Sequence, residues 1–173
     1  MIGVSKHLCG GATDLTLNSC LRLPQPRLSG ILIALCCHHR CTHPLFVGSQ
    51  VLSGDFSKDE FNLLWGLTSW ATCGSGKPRE PKEKSVKDVE AENDDPVDPH
   101  RVTEVLKNEH KDRYERLKLP REKREEIGRR TKRMLDYARA KFVEDKMGLE
   151  VKLYYYCEPE ISLENTVLVA FRK

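Results

Sequence analysis

The most apolar stretch of the chain, Leu28 to Cys37 (LSGILIALCC), shows no alternation and follows Pro24 and Pro26. A run of this kind predicts a strand buried on both faces, as in a parallel sheet covered by helices. Ahead of it, Leu15, Leu17, Leu21 and Leu23 predict a short helix over Asp14–Leu23, with Thr13 or Asp14 as its amino-terminal cap. Ile2-Gly3-Val4 reads as the end of an earlier strand, because a dense motif begins at Ser5. Strand, helix, strand is the repeating unit of an α/β fold.

Farther along, Phe56, Phe61, Leu64 and Leu67 form an apolar stripe over a second helix, Ser57–Leu67. Ser57 and Glu60 stand at capping-box spacing at its start. Val102 to Lys118 reads as helical, and Pro120 opens a longer helix reaching about Lys146. In that helix Ile127, Met134, Leu135, Ala138 and Phe142 recur on one face, and Gly148 stands where a carboxyl-terminal cap belongs. Val151–Cys157 alternates, Thr166–Phe171 is a β-branched apolar run, and 158–165 connects them, so the chain ends in two adjacent, antiparallel strands.

Charge divides this pattern into three blocks. Residues 1–76 carry net +1, residues 77–99 carry −3 and residues 100–173 carry +5, which together give the chain its +3. The middle block holds four prolines and no aromatic residue, too little apolar surface to offset its ordering entropy, so it reads as a disordered charged insertion. A solvated helix over 83–92 is the other reading. A net charge this small does not by itself indicate a nucleic-acid partner. Lys107–Lys146, however, holds fifteen basic against nine acidic residues. Arg129, Arg130, Lys132 and Arg133 there form either a phosphate-contacting face or an ordinary solvated surface.

Seven cysteines, three of them within Cys36-Cys37-His38-His39-Arg40-Cys41, do not resemble a spaced disulfide framework and point to a reducing, intracellular compartment. The apolar run is far shorter than the ~20 residues a membrane span needs, and no secretory signal pattern opens the chain, so a soluble protein without membrane attachment is expected.

Two motifs fall at predicted carboxyl ends of strands, where open α/β sheets bind ligands. Ser5-Lys6-His7-Leu8-Cys9-Gly10-Gly11 is either a ligand loop or a tight turn filled by His7 and Cys9. The Cys36–Cys41 segment allows a zinc site, pairing Cys37 with Cys41 or Cys36 with His39 and aided by His43, although no second clear ligand pair exists. In the other reading the thiols are small buried groups, while His38, His39 and Arg40 project into a cleft as proton acceptors and a phosphate-binding fork. No residue is assigned as a metal ligand. Ser69-Trp70-Ala71-Thr72-Cys73-Gly74 is a third dense motif, in which Trp70 either closes a core or stacks on a base or cofactor.

These strings together closely resemble one family, the eukaryotic tRNA 2′-O-methyltransferases that modify the fourth nucleotide of the acceptor stem. The resemblance is carried by Ser5–Gly10 with Ala12–Leu15, by Gly30–Cys41 and by Ser69–Gly74. Arg121–Arg139 is similar to the family's last long helix, and Tyr155–Ala170, with Ser162-Leu163-Glu164-Asn165, to its closing hairpin. It implies methyl transfer from S-adenosylmethionine to a ribose hydroxyl of tRNA, in the nucleus or cytoplasm, on a Rossmann-like domain. The implied fold class is α/β, the carboxyl-terminal half of such a domain: 1–76 its middle part, 77–99 the insertion, and 100–173 the closing helices and β-hairpin.

The implied catalytic candidates are Lys6, His38, His39 and Arg40, and the implied cofactor-binding residues are His7, Cys9 and Gly10. The glycine-rich loop and the acidic residue that usually hold this cofactor are not in the chain, nor are the family's zinc-finger modules. The expectation is therefore a truncated form that binds S-adenosylmethionine very weakly and is inactive alone. The alternatives are a noncatalytic RNA-binding form and a small zinc protein built on the Cys36–Cys41 segment.

Overall fold

A four-stranded mixed sheet organises the chain, with strands in the order β1-β2-β4-β3. The computed structural model describes residues 1–23, 27–54, 56–72 and 118–172. Strand β1 (Ile2–Ser5) leads through helix α1 (Gly11–Leu21) to β2 (Gly30–Leu35), and the two strands pair in parallel with Ile2 opposite Gly30. Two short helices follow, α2 (Ser49–Leu52) and α3 (Lys58–Thr68). The long helix α4 (Arg121–Met147) then delivers the chain to β3 (Glu150–Tyr155) and β4 (Thr166–Phe171). Strand β4 inserts antiparallel between β2 and β3, with Leu168 opposite both Ile33 and Leu153. The expected terminal antiparallel pair is therefore present. The insertion at 77–99 and the helix expected over 102–118 lie outside the described residues, apart from Lys118.

The local signals act as their chemistry dictates. Ser57 accepts a hydrogen bond from the Glu60 amide while the Glu60 carboxylate accepts one from the Ser57 amide, closing the capping box of α3. Gly148 ends α4 at φ 64°, a left-handed conformation that glycine adopts without a Cβ penalty. Helix α1 departs from expectation. It starts at Gly11 with Gly10 as a cap that makes no side-chain hydrogen bond, so Thr13 and Asp14 lie inside its first turn rather than ahead of it.

One core lies between sheet and helices: Ile31, Ile33 and Leu35 of β2 and Leu168 and Ala170 of β4 meet Leu17 of α1 and Ala140, Val143 and Met147 of α4. A second unites Phe61, Leu64 and Trp65 of α3 with Leu135 and Ala138 of α4 and Cys41, Phe46 and Leu52 between them. Each fully buried Leu or Ile contributes roughly 1.5–3 kcal/mol. The expected burial of β2 on both faces is corrected: Leu32, between two buried isoleucines, is 39% exposed. The packing helices α1 and α4 meet the odd-numbered side chains, and the described residues do not cover the other face to the same depth.

Candidate active site

The loops that follow β1 and β2 are in backbone contact. Gly10 donates its amide to the Cys36 carbonyl at 3.4 Å. Its φ of +57° suits glycine, and a Cβ there would stand 2.5 Å from the carbonyl carbon of Arg40. The Thr13 hydroxyl donates to the Leu8 carbonyl at 2.6 Å, tying the first loop to α1. Both loops also hold a non-glycine residue in left-handed conformation, His7 at φ 63° and Cys37 at φ 51°. Such residues cost about 1–2 kcal/mol each and persist where surrounding structure imposes them.

Around this junction the candidate residues separate into two groups. Lys6, His7, His39 and Arg40 are exposed. His38, expected to project beside His39 and Arg40, is instead 1% exposed. The short 3-10 turn at His38–Arg40 directs its ring inward, where Nε2 lies 2.6 Å from Asp136 Oδ1 of α4. Its Nδ1 faces Glu164 Oε2 at 4.0 Å.

A buried ionic network lies beneath. Arg139 of α4 grips Asp14 with two donors, Nε to Oδ1 at 3.0 Å and Nη2 to Oδ2 at 2.9 Å. It also reaches Asp136 Oδ1 at 3.3 Å and Cys41 Sγ at 2.9 Å. Burial opposes its charge, but Asp14, Cys41 and Asp136 outweigh that and hold the guanidinium above its ordinary range. The second oxygen pair of the network belongs to Glu164, in the β3–β4 connection. Oε1 accepts the Cys37 amide at 3.3 Å and Oε2 pairs with Lys132 at 2.5 Å. Lys132 also donates to the Leu163 carbonyl, so it is buried in this network and does not belong to the basic face expected of it. On that face Arg129 and Arg130 pair with Glu125 and Glu126, which offsets much of their charge.

Three sulfurs converge at the junction: those of Cys9, Cys36 and Cys37 all lie within 4.8 Å of one another, with Cys9 and Cys36 at 3.8 Å. Burial, then the hydrogen bond with Cys9 and the neighbouring thiols, pushes Cys36 up to about 12. The pairing of Cys37 with Cys41 is not formed, because Cys41 is buried against Arg139. His43 stacks edgewise on Phe61 at 5.0 Å. Trp70 is half-buried beside Ala71, whose amide would lie 2.3 Å from a Cβ at Gly128.

Sequence reasoning offered Asp14 only as a helix cap and assigned no role to Asp136, Arg139 or Glu164. The available signal was the placement of Asp136 and Arg139 next to Leu135 and Ala138, charges three residues apart on the apolar side of a helix.

A family model described as Methyltransferase TRM13 matches residues 1–171. The chain is 34% identical over 188 residues to the tRNA:m(4)X modification enzyme TRM13 of Vanderwaltozyma polyspora, covering 99% of this chain and 36% of that protein. The corresponding Schizosaccharomyces pombe protein is 35% identical, with 98% and 39% covered. The human homolog is 30% identical, with 98% and 44% covered. The chain thus spans less than half the length of these curated relatives. No solved structure matches. With its motifs, its closing hairpin and nearly its whole length matched, this chain belongs to the TRM13 methyltransferase family.

Proposed function

We propose that this chain supplies the RNA-facing half of a tRNA ribose 2′-O-methyltransferase acting on nucleotide 4 of the acceptor stem, with S-adenosylmethionine as methyl donor. The observation that carries this reading is the junction of the two loops at the carboxyl ends of β1 and β2, which displays Lys6, His7, His39 and Arg40 to solvent while burying Asp14 and Asp136. The reversed β4 between β2 and β3, after a last long helix, supports a Rossmann-like methyltransferase architecture.

An exposed cationic edge suits the ribose-phosphate backbone of RNA. Arg40 holds a phosphate through its planar donors, and Lys6 or His39 accepts the proton of the attacking hydroxyl. His38 acts through the loop: its pairing with Asp136 fixes the turn that presents His39 and Arg40. S-adenosylmethionine, when bound, supplies an electrophilic methyl group. Of the residues that would hold it, His7, Cys9 and Gly10 line the first loop. These residues fit the donor only in part, so weak binding by this chain alone is expected. The setting is the nucleus or cytoplasm, and no described helix is long and apolar enough to cross a membrane.

The test places Lys6→Ala, His39→Ala and Arg40→Ala, at the matching positions, in a full-length TRM13 enzyme. Methylation of unmodified tRNA is expected to fall at least tenfold with tRNA affinity changed less. Full activity in all three variants overturns the assignment. Calorimetry on this chain with S-adenosylmethionine is expected to show no micromolar binding, and finding it would refute the expectation. The exposed cationic edge of Lys6, His39 and Arg40 also suits one other reading, a noncatalytic RNA-binding form. That form would bind tRNA while the full-length enzyme carried out methylation without any contribution from Lys6, His39 or Arg40.

A further inference from the structure

We propose that Cys9, Cys36 and Cys37 form a binding site for a thiophilic divalent cation, zinc in particular, that ties the loop after β1 to the loop after β2. Cys9 and Cys36 are 27 residues apart in sequence and meet through the parallel pairing of their strands and the Gly10–Cys36 backbone hydrogen bond. The spacing of the sulfurs fits the ion. Zn–S bonds of about 2.3 Å in tetrahedral geometry separate two sulfurs by about 3.8 Å. Cys9 and Cys36 stand at 3.8 Å, and the third sulfur lies within 4.8 Å of both. That separation is far longer than the ~2.05 Å of a disulfide.

Adjacent residues of an extended chain point to opposite sides, so Cys36 and Cys37 would not ordinarily share a ligand. Here Cys37 takes φ 51°, and this turn brings its sulfur to the side of Cys36. Glu164 anchors the strained residue by accepting its amide. A left-handed cysteine in the loop after β2, held by a carboxylate from a third segment, carries strain that glycine would avoid in a simple turn.

The same ligand set was not legible from spacing, which pairs Cys37 with Cys41 and Cys36 with His39. In the structure Cys41 belongs to Arg139 instead. Among the described residues three protein sulfurs meet, and three ligands leave a fourth position to water or a substrate oxygen, as in catalytic rather than structural zinc sites. The proposal does not depend on the methyl-transfer reading and gives Cys9 a role apart from any contact with the methyl donor.

The experiment is metal analysis of the full chain purified without chelator, followed by replacement with Co²⁺ and measurement of thiolate-to-cobalt charge-transfer absorption. One zinc per chain is expected, with a cobalt band of the intensity given by three thiolates. Cys9→Ser, Cys36→Ser and Cys37→Ser should each weaken retention at least tenfold, while Cys20→Ser and Cys157→Ser should leave it unchanged. Circular dichroism identifies any variant that fails to fold, and the wild-type cobalt spectrum decides the thiolate count independently of the variants. Absence of bound zinc, a spectrum without thiolate bands, retention that survives loss of all three cysteines, or a Cys9–Cys36 disulfide in unreduced protein would each overturn the proposal.

Discussion

Arg139 and Asp14, 125 residues apart, form a two-pronged ion pair in which neither side chain is more than 2% exposed. The pair joins the first turn of α1 to the middle of α4 and so fixes the floor on which both motif loops rest. Asp14 Oδ1 also lies 3.3 Å from the Val47 amide, which extends the tie to the segment after Cys41.

Removing one member of a buried pair strands the other charge, so Arg139→Gln is expected to destabilise the fold by about 3–5 kcal/mol. Urea unfolding measures it. Asp14→Asn combined with Arg139→Gln should cost clearly less than the sum of the two single changes, because the charges are removed together. Additive losses would show that the pair carries no coupling.

Gly10 is the point at which the two loops touch. Gly10→Ala must place a methyl group against the Arg40 backbone at 2.5 Å while keeping φ near +57°. The left-handed conformation alone costs about 1–2 kcal/mol for alanine, and the contact adds to it. The expected outcome is a stability loss of at least that size with the loops forced apart. In a full-length family member it should be accompanied by a fall in methyl transfer larger than the fall in tRNA affinity. Unchanged thermal unfolding would show that the loops separate freely.

The elements built from local chemistry were legible in the sequence. The Ser57–Glu60 box starts α3, Gly148 stops α4, and the runs at 30–35 and 166–171 form paired strands. What escaped was set by distant contacts. Continuous hydrophobicity cannot distinguish a strand buried on two faces from one in which Leu32 is 39% exposed. Spacing grouped His38 with His39 and Arg40, but a three-residue helical turn sends adjacent side chains in different directions, and Asp136 draws the first of them inside. Lys132 reads as surface charge until Glu164, 32 residues later, is placed beside it. The meeting of Cys9 with Cys36 needed the strand register.

The capping box of α3 gives an acid-sensitive term. The Ser57 hydroxyl and amide both donate to the Glu60 carboxylate and hold its pKa below the ordinary 4.5. The folded state therefore favours the ionised form. The resulting stability is present above the unfolded pKa near 4.5 and is lost as pH falls through the lower folded value. Glu60→Gln keeps an acceptor but removes the charge. Its urea midpoint should lie below that of the wild type at pH 6–7, and the gap should close as pH falls below 4. A gap independent of pH would assign the effect to shape rather than charge.

Helix α4 meets the turn at Ser69–Ala71 through Gly128. A Cβ at that position would stand 2.3 Å from the Ala71 amide nitrogen and 2.9 Å from the Trp70 carbonyl carbon, both backbone atoms that cannot rotate away. Alanine is otherwise the better helix former, by about 1 kcal/mol, so propensity and packing act in opposite directions. Forcing extra volume into a close contact costs about 1–3 kcal/mol. Packing is expected to win, so Gly128→Ala should lower stability and loosen the Ser69–Ala71 turn. Amide hydrogen exchange at Ala71 and Thr72 should quicken while the centre of α4 keeps its protection. A stabilised protein with unchanged exchange would show that the turn shifts without cost and does not depend on α4 for its position.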